Sequence, residues 1–263
     1  MLNAMATQDK NIILKIENLS FSYDTKKGDY EVFKDINLDI YDNEFFCVVG
    51  SSGCGKTTLL NVIAGFETPK QGNIYVNGES IIGKVSHERA VVFQQDAVFP
   101  WLTVFKNIEF GPKVRKVLKS ERIKKVNELI KFVGLNGFEN SYPRELSGGM
   151  RKRVDLGRAL INDPEILLMD EPFGSLDALT KEKMQIELMN IMRTTKKTVV
   201  FITHDLEEAL FLGDRICIMP KITSGLPMKV VNVPYKRPRD IDIKANSDFQ
   251  YMRQSILKEF KFI

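Results

Sequence analysis

The stretch that most restricts what this chain can fold into is "GSSGCGKT", Gly50 to Thr57. It follows "FFCVV", Phe45 to Val49, a continuous apolar run of the kind found in strands buried on both faces of a parallel sheet. It precedes "KTTLLNVIAG", which reads as a helix stopped by Gly65. A glycine-rich loop between a strand and a helix is a phosphate-binding loop. Gly50, Gly53 and Gly55 let the backbone wrap closely, so that consecutive N–H groups, from Ser51 and Ser52 through Cys54 to Thr58, point at phosphate oxygens. The helix N-terminus adds its positive dipole end. Lys56 is placed to bridge the terminal phosphates, and the Thr57 hydroxyl to hold Mg²⁺.

The rest of the chain fits an α/β core. "ILKIENLSFSY" and "VFKDINLDI" alternate with period two, so Ile36, Leu38 and Ile40 should line one face of an antiparallel sheet. "GNIYVNG", "EILLMD", "TVVFITH" and "RICIM" read as further strands. Between the glutamines at 94–95 and "EILLMD" the period changes to helical: Ile123, Val126, Leu129, Ile130 and Val133 recur every three or four residues, and a second helix should start at Ser147. A long helix is expected near Leu176 to Arg193. Pro234 and Pro238 mark an irregular tail before an amphipathic segment, Ser247 to Phe260.

Composition narrows the class. The chain has 263 residues and is 43% hydrophobic, enough for a core without disulfides. Cys47, Cys54 and Cys217 are widely spaced and suit a reducing compartment. No run approaches the ~18–20 apolar residues of a membrane span. "MLNAMATQDK" has no signal-peptide core, so a cytosolic chain is expected. The net charge of +4 argues against a nucleic-acid partner. The basic run from Lys113 to Lys125 reads either as a solvated helix face or as a surface near anionic lipid.

Three more strand ends carry chemistry. "EILLMDE" ends in Asp170, placed to orient Mg²⁺, and Glu171, placed to polarise a water. His204 ends "FITH" in the same way, because sheets of this class put ligands at the carboxyl ends of strands; His87 reads as a surface residue. "VVFQQDAVFPWLTVF" starts as a core strand at Val91 to Phe93 and turns at Gln94 into a segment holding Phe99 and Trp101. Trp101 reads equally as core packing or as a docking surface. "LSGGMRKR" offers a second anion-facing helix end at Ser147, Gly148 and Gly149, which one nucleotide does not obviously need.

In this order the motifs resemble the ATP-binding cassette (ABC) ATPase family over essentially the whole chain: P-loop, Q-loop at Gln94, signature "LSGGM", Asp170 with Glu171, D-loop "SLD" at Ser175 to Asp177, and switch His204. The resemblance implies a P-loop NTPase (RecA-like) α/β core with a parallel sheet, an antiparallel β subdomain and an inserted α-helical subdomain. One ABC domain would span 1–263: core at about 1–95 and 163–220, helical part at about 96–162, and a C-terminal extension at 221–263. It implies ATP and Mg²⁺ as cofactors, with Thr57, Gln94 and Asp170 tending the metal and Tyr23 stacking on adenine. It implies Glu171 as base, with His204 and Gln94 assisting. It also implies a head-to-tail dimer in which Ser147, Gly148 and Gly149 serve the partner's nucleotide. "VFQQDAVFPWLTV", "DEPFGSLDALT" and "VPYKRPRD" are similar to the nitrate, sulfonate and taurine importer group of bacteria. Membrane permease subunits, an indirect solute-binding protein and a peripheral place on the cytoplasmic side of the inner membrane follow from that likeness. Lys152, Asp155 and Gly157 depart from the group's pattern of Gln, Ala and Ala and leave the Ser-Gly-Gly end intact.

The alternative is a soluble cassette ATPase not coupled to transport. The coiled-coil chromosome type is excluded by spacing, since Gln94 and Ser147 are only 53 positions apart, and the two-cassette translation type by the single P-loop. A kinase or GTPase lacks "LSGGM", and the chain has no guanine-specifying Asn-Lys-x-Asp stretch.

Overall fold

A computed structural model describes residues 11–26 and 28–260. The stretch expected to lack a signal-peptide core, residues 1–10, lies outside them. Two sheets form the frame. β1 (Ile12–Thr25) pairs antiparallel with β2 (Gly28–Tyr41) and with β4 (Gln71–Val76), which pairs with the short β5 (Glu79–Ser80). Ile36, Leu38 and Ile40 are buried together, as their alternation predicts.

The main sheet has six strands in the order β10-β9-β3-β8-β7-β6: β3 (Phe45–Val49), β6 (Arg89–Val92), β7 (Ile166–Asp170), β8 (Thr198–Thr203), β9 (Arg215–Ile218) and β10 (Lys229–Asn232). Five run parallel, and β10 closes the β9 edge antiparallel. The alternation of strand side chains splits the interior in two. Phe46, Val48, Ile166 and Leu168 join the antiparallel sheet and α1 (Lys56–Ala64) in one core. Phe45, Cys47, Val49, Leu167 and Met169 face the other core, under α5 (Ala178–Thr195), α6 (Leu206–Leu212) and α7 (Ser247–Phe260).

Between β6 and β7 lie α2 (Val104–Val114), α3 (Lys119–Phe132) and α4 (Gly148–Leu160). They have their own core, built on Val104, Ile108, Val126, Ile130, Leu146 and Val154. Four helix starts have a side-chain cap. The Thr103 side chain caps α2, Ser147 caps α4, Asp177 caps α5 and Asp205 caps α6.

Three expectations need correction. Phe93 is not core strand: β6 stops at Val92, and Phe93 is 40% exposed, stacked on Phe66 at 6.3 Å. Trp101 is not core either: it is 70% exposed and only leans on Phe99. The C-terminal extension, to which no strand is assigned above, contributes β10. The basic run is mostly solvated, and His87 is exposed.

Candidate nucleotide-binding site

Parallel register sets the site. Val49 pairs with Thr203, Asp170 with Ile202 and Val92 with Met169, so four strands end nearly level along one edge of the sheet. The residue or two after each end is Gly50, His204, Glu171 and Gln94. The Glu171 N–H donates to Ile202 O at 2.9 Å and extends the ladder by one bond. Glu171 itself has φ of 40°, in the left-handed region that a non-glycine residue enters at a cost of ~1–3 kcal/mol.

Side chains converge on this carboxylate. The Lys56 ammonium is 3.9 Å from Glu171 Oε1. Gln94 Nε2 donates to Oε2 at 3.3 Å, and His204 Nδ1 stands 2.9 Å from the same oxygen. Lys56 is buried, and it also donates to the carbonyls of Gly50 at 2.9 Å and Ser51 at 3.2 Å, so its amine lies inside the loop. Ser51, Ser52, Gly53 and Thr57 are exposed. Cys54 turns its thiol into the core, where burial pushes it up, and offers the loop only its backbone. Gly55 has φ of 101°, and a Cβ there would stand 2.7 Å from Val32, so glycine is required at this turn into α1.

Thr57 and Asp170 form the second pair. The Thr57 hydroxyl is 3.2 Å from Asp170 Oδ1. Burial pushes the Asp170 carboxyl up, and the neighbouring Glu171 pushes the same way against the Thr57 hydrogen bond. A hydroxyl beside one buried carboxylate is a hard-oxygen donor set that suits Mg²⁺, which keeps several waters and takes its other ligands from phosphates. Among the described residues no three His, Cys, Asp or Glu side chains gather as a denser metal site.

The Tyr23 hydroxyl is 3.3 Å from Thr58 Oγ1, and its ring, 40% exposed, meets Phe21 edge-on at 4.9 Å. Tyr23 thus stands beside the loop with an open face. Ser147, Gly148 and Gly149 are placed differently. Ser147 Oγ accepts from Met150 N at 3.3 Å. Among the described residues no hydrogen bond joins these three to the P-loop. Gly148 instead lines a cleft with Gln94, Asp96, Ser175 and Leu176. The structure therefore brings together Lys56, Thr57, Gln94, Asp170, Glu171 and His204, and keeps the signature turn apart.

A phosphate cradle at the strand ends of a parallel sheet, with a carboxylate held beside it, defines the P-loop NTPase fold. Comparison with known proteins narrows the class. The ABC transporter profile matches residues 33–174. The chain is 46% identical to the taurine import ATP-binding protein of Pelagibacter ubique, over 92% of each chain. It is 40% identical to the bicarbonate transport ATP-binding protein of a Synechocystis species, over 97% of this chain and 91% of the relative. A bacterial ABC transporter cassette solved as a dimer superposes with a TM-score of 0.72 and 32% identity, over 85% of this chain and all of that one. The chain belongs to the ABC transporter family, whose ATP-binding subunits hydrolyse ATP to drive transport.

Proposed function

We propose that this chain is the ATPase subunit of a bacterial importer for a small solute such as taurine, a sulfonate, nitrate or bicarbonate. The convergence of Lys56, Gln94 and His204 on Glu171 carries the reading. The loop amides and Lys56 hold the ATP phosphates, and Tyr23 stacks on adenine. Thr57, Asp170 and the Gln94 amide hold Mg²⁺, which supplies charge to offset the phosphates. Glu171 accepts the proton of the attacking water. His204 stands beside that carboxylate and senses or stabilises the γ-phosphate. Ser147, Gly148 and Gly149 complete the nucleotide site of a second copy, giving two ATP between two head-to-tail chains.

The residues at about 1–95 and 163–220 act as the catalytic core and those at about 96–162 as the helical part, with 221–263 as an extension that returns a strand and a helix to the core. Among the described residues no helix is long and apolar enough to cross a membrane. We place the chain peripherally on the cytoplasmic side of the inner membrane, against permease subunits served by a solute-binding protein.

Glu171→Gln keeps the shape of the site and removes the base. Hydrolysis should fall by ~10²–10⁴-fold while ATP binding persists and the dimer accumulates on gel filtration. A normal rate in this variant would show that the base has been misassigned. The permease reading has its own test in Trp101→Ala. An exposed ring costs little to remove, so stability should change by no more than about 0.5 kcal/mol. Co-purification with the permease should weaken while ATP binding is unchanged, and an unaltered complex would remove Trp101 from the interface.

A further inference from the structure

Lys152, Asp155 and Gly157, the residues of α4 that depart from the importer pattern, take no part in the nucleotide site described above. Two of them are buried charges: Lys152 is 2% exposed and Asp155 is 5%. Buried ions seldom add to stability compared with apolar residues of similar size, so their presence calls for another account. Burial pushes the Asp155 carboxyl up, against the opposing hydrogen bond from Ala97 and the charge of Lys152.

Outside α4, where Asp155 Oδ1 also pairs with Arg158 at 3.4 Å, the polar contacts of Lys152 and Asp155 go to the segment that carries Gln94. Lys152 Nζ donates to Gln94 O at 2.8 Å and Phe93 O at 3.3 Å, and pairs with Asp96 Oδ1 at 3.2 Å. Arg151 Nε holds the other Asp96 oxygen at 2.7 Å. Asp155 Oδ2 accepts from Ala97 N at 3.1 Å. Arg158 donates to the Ala97 carbonyl and lies over the Phe99 ring at 4.4 Å. Gly157 faces α2: a Cβ there would stand 3.0 Å from Ile108, so glycine lets the two helices close up.

The segment 93–97 is thus stitched to α4 through its own backbone at Phe93, Gln94 and Ala97. The N-terminus of the same helix is Ser147-Gly148-Gly149. We propose that Lys152 and Asp155 are positioning residues that clamp the 93–97 segment to the signature helix, so that displacement of Ser147–Gly149 against a nucleotide is delivered to the Gln94 amide beside Glu171. The second half of this inference rests on the roles given above to Gln94 and the signature turn; the clamp itself rests only on the contacts.

The test is a double-mutant cycle of Lys152→Gln, Asp155→Ala and both together in the full-length chain. ATPase kcat and KM and hydrogen exchange of residues 93–99 are measured for each. Each single substitution should lower kcat by about 10-fold with KM for ATP within about twofold, because a small misplacement of a catalytic group is costly. Exchange in 93–99 should accelerate while the central strands stay protected. The double variant removes both charges and restores the group's usual pair, so it should be no worse than either single. Effects that multiply, or unaltered exchange in 93–99, would overturn the clamp. If Lys152→Gln does not fold, Lys152→Met replaces it: it keeps the apolar stem but loses the donor to Phe93 O and Gln94 O, and a wild-type kcat there would overturn the proposal. Gln94→Ala, run alongside, separates the two layers. A wild-type rate in that variant sinks the reading of Gln94, and the clamp is then decided by exchange alone. A slow Gln94→Ala beside fully active Lys152 and Asp155 variants sinks the clamp and spares Gln94.

Discussion

Two helix N-termini in this molecule are built to face anions, and they are built differently. α1 begins at Gly55 with no side-chain cap, and its first turn carries Lys56 and Thr57 into a cluster of carboxylates and a histidine from the same chain. α4 begins at Ser147 with a side-chain cap and two glycines, and among the described residues its first turn shares a cleft with Gln94 and Asp96 but with no lysine, histidine and carboxylate cluster of that kind. The first is a site in itself. The second has the donors of a site without that cluster, in keeping with the proposal that it serves the nucleotide of a second copy. A third end sharpens the contrast. Asp205 caps α6 by accepting from Glu207 N at 2.9 Å, and its carboxylate fills the place an external anion would take.

The largest effect should come from breaking the self-contained end. Lys56→Ala removes a charge-assisted contact of about 1.5–3 kcal/mol and should weaken ATP binding by about 10–100-fold while abolishing turnover, read by nucleotide titration and phosphate release. Wild-type affinity would detach the phosphate site from α1. Next comes Gly148→Asp, which sets a carboxylate at the shared end. The single chain should bind ATP within about threefold of wild type, since this end is not its own, but ATP-driven dimerisation should be lost; such a substitution turns a gain of up to ~1 kcal/mol with an anion into repulsion. If monomer binding collapses as well, the two ends serve one nucleotide and the comparison fails.

The smallest effect belongs to the third end. Burial pushes the Asp205 carboxyl up, but the hydrogen bond and charge of Lys181 and the capped N–H groups outweigh it and leave it below the usual range. A carboxyl lowered in the folded state stabilises above its unfolded value of about 3.9 and loses that stabilisation as pH falls through the folded value. As a lost helix cap, Asp205→Ala should cost about 1 kcal/mol at pH 7, and the gap in melting temperature to wild type should narrow as pH falls below about 3.9. A gap that does not narrow on acidification would mean that Asp205 acts through packing and not through its charge.

Much of this was legible in the sequence because it is local. Strand ends, caps and the glycine turn depend on residues a few positions apart, so Gly50 to Thr57, Asp170, Glu171 and Ser147 could be placed on their elements from pattern alone. What was not legible depends on residues brought together from afar. β10 is four residues long, three of them exposed, and pairing with β9 makes it a strand. Trp101 and Phe93 are apolar, but exposure is decided by what packs over them. The roles of Lys152 and Asp155 were hidden because a charged residue on a helix normally marks the solvated side. Two signals were visible: both depart from the importer group's pattern, and they share the stretch of α4 that buries Val154 and Leu156.

The left-handed backbone at Glu171 has an evolutionary consequence. The fold places the carboxylate proposed as base where a side chain is least comfortable, so replacement by glycine should relieve backbone strain as it removes that carboxylate. Stability alone would reward that change. A glutamate at this position can persist only under continuing demand for turnover, and a lineage released from that demand would drift first at the residue that defines the enzyme.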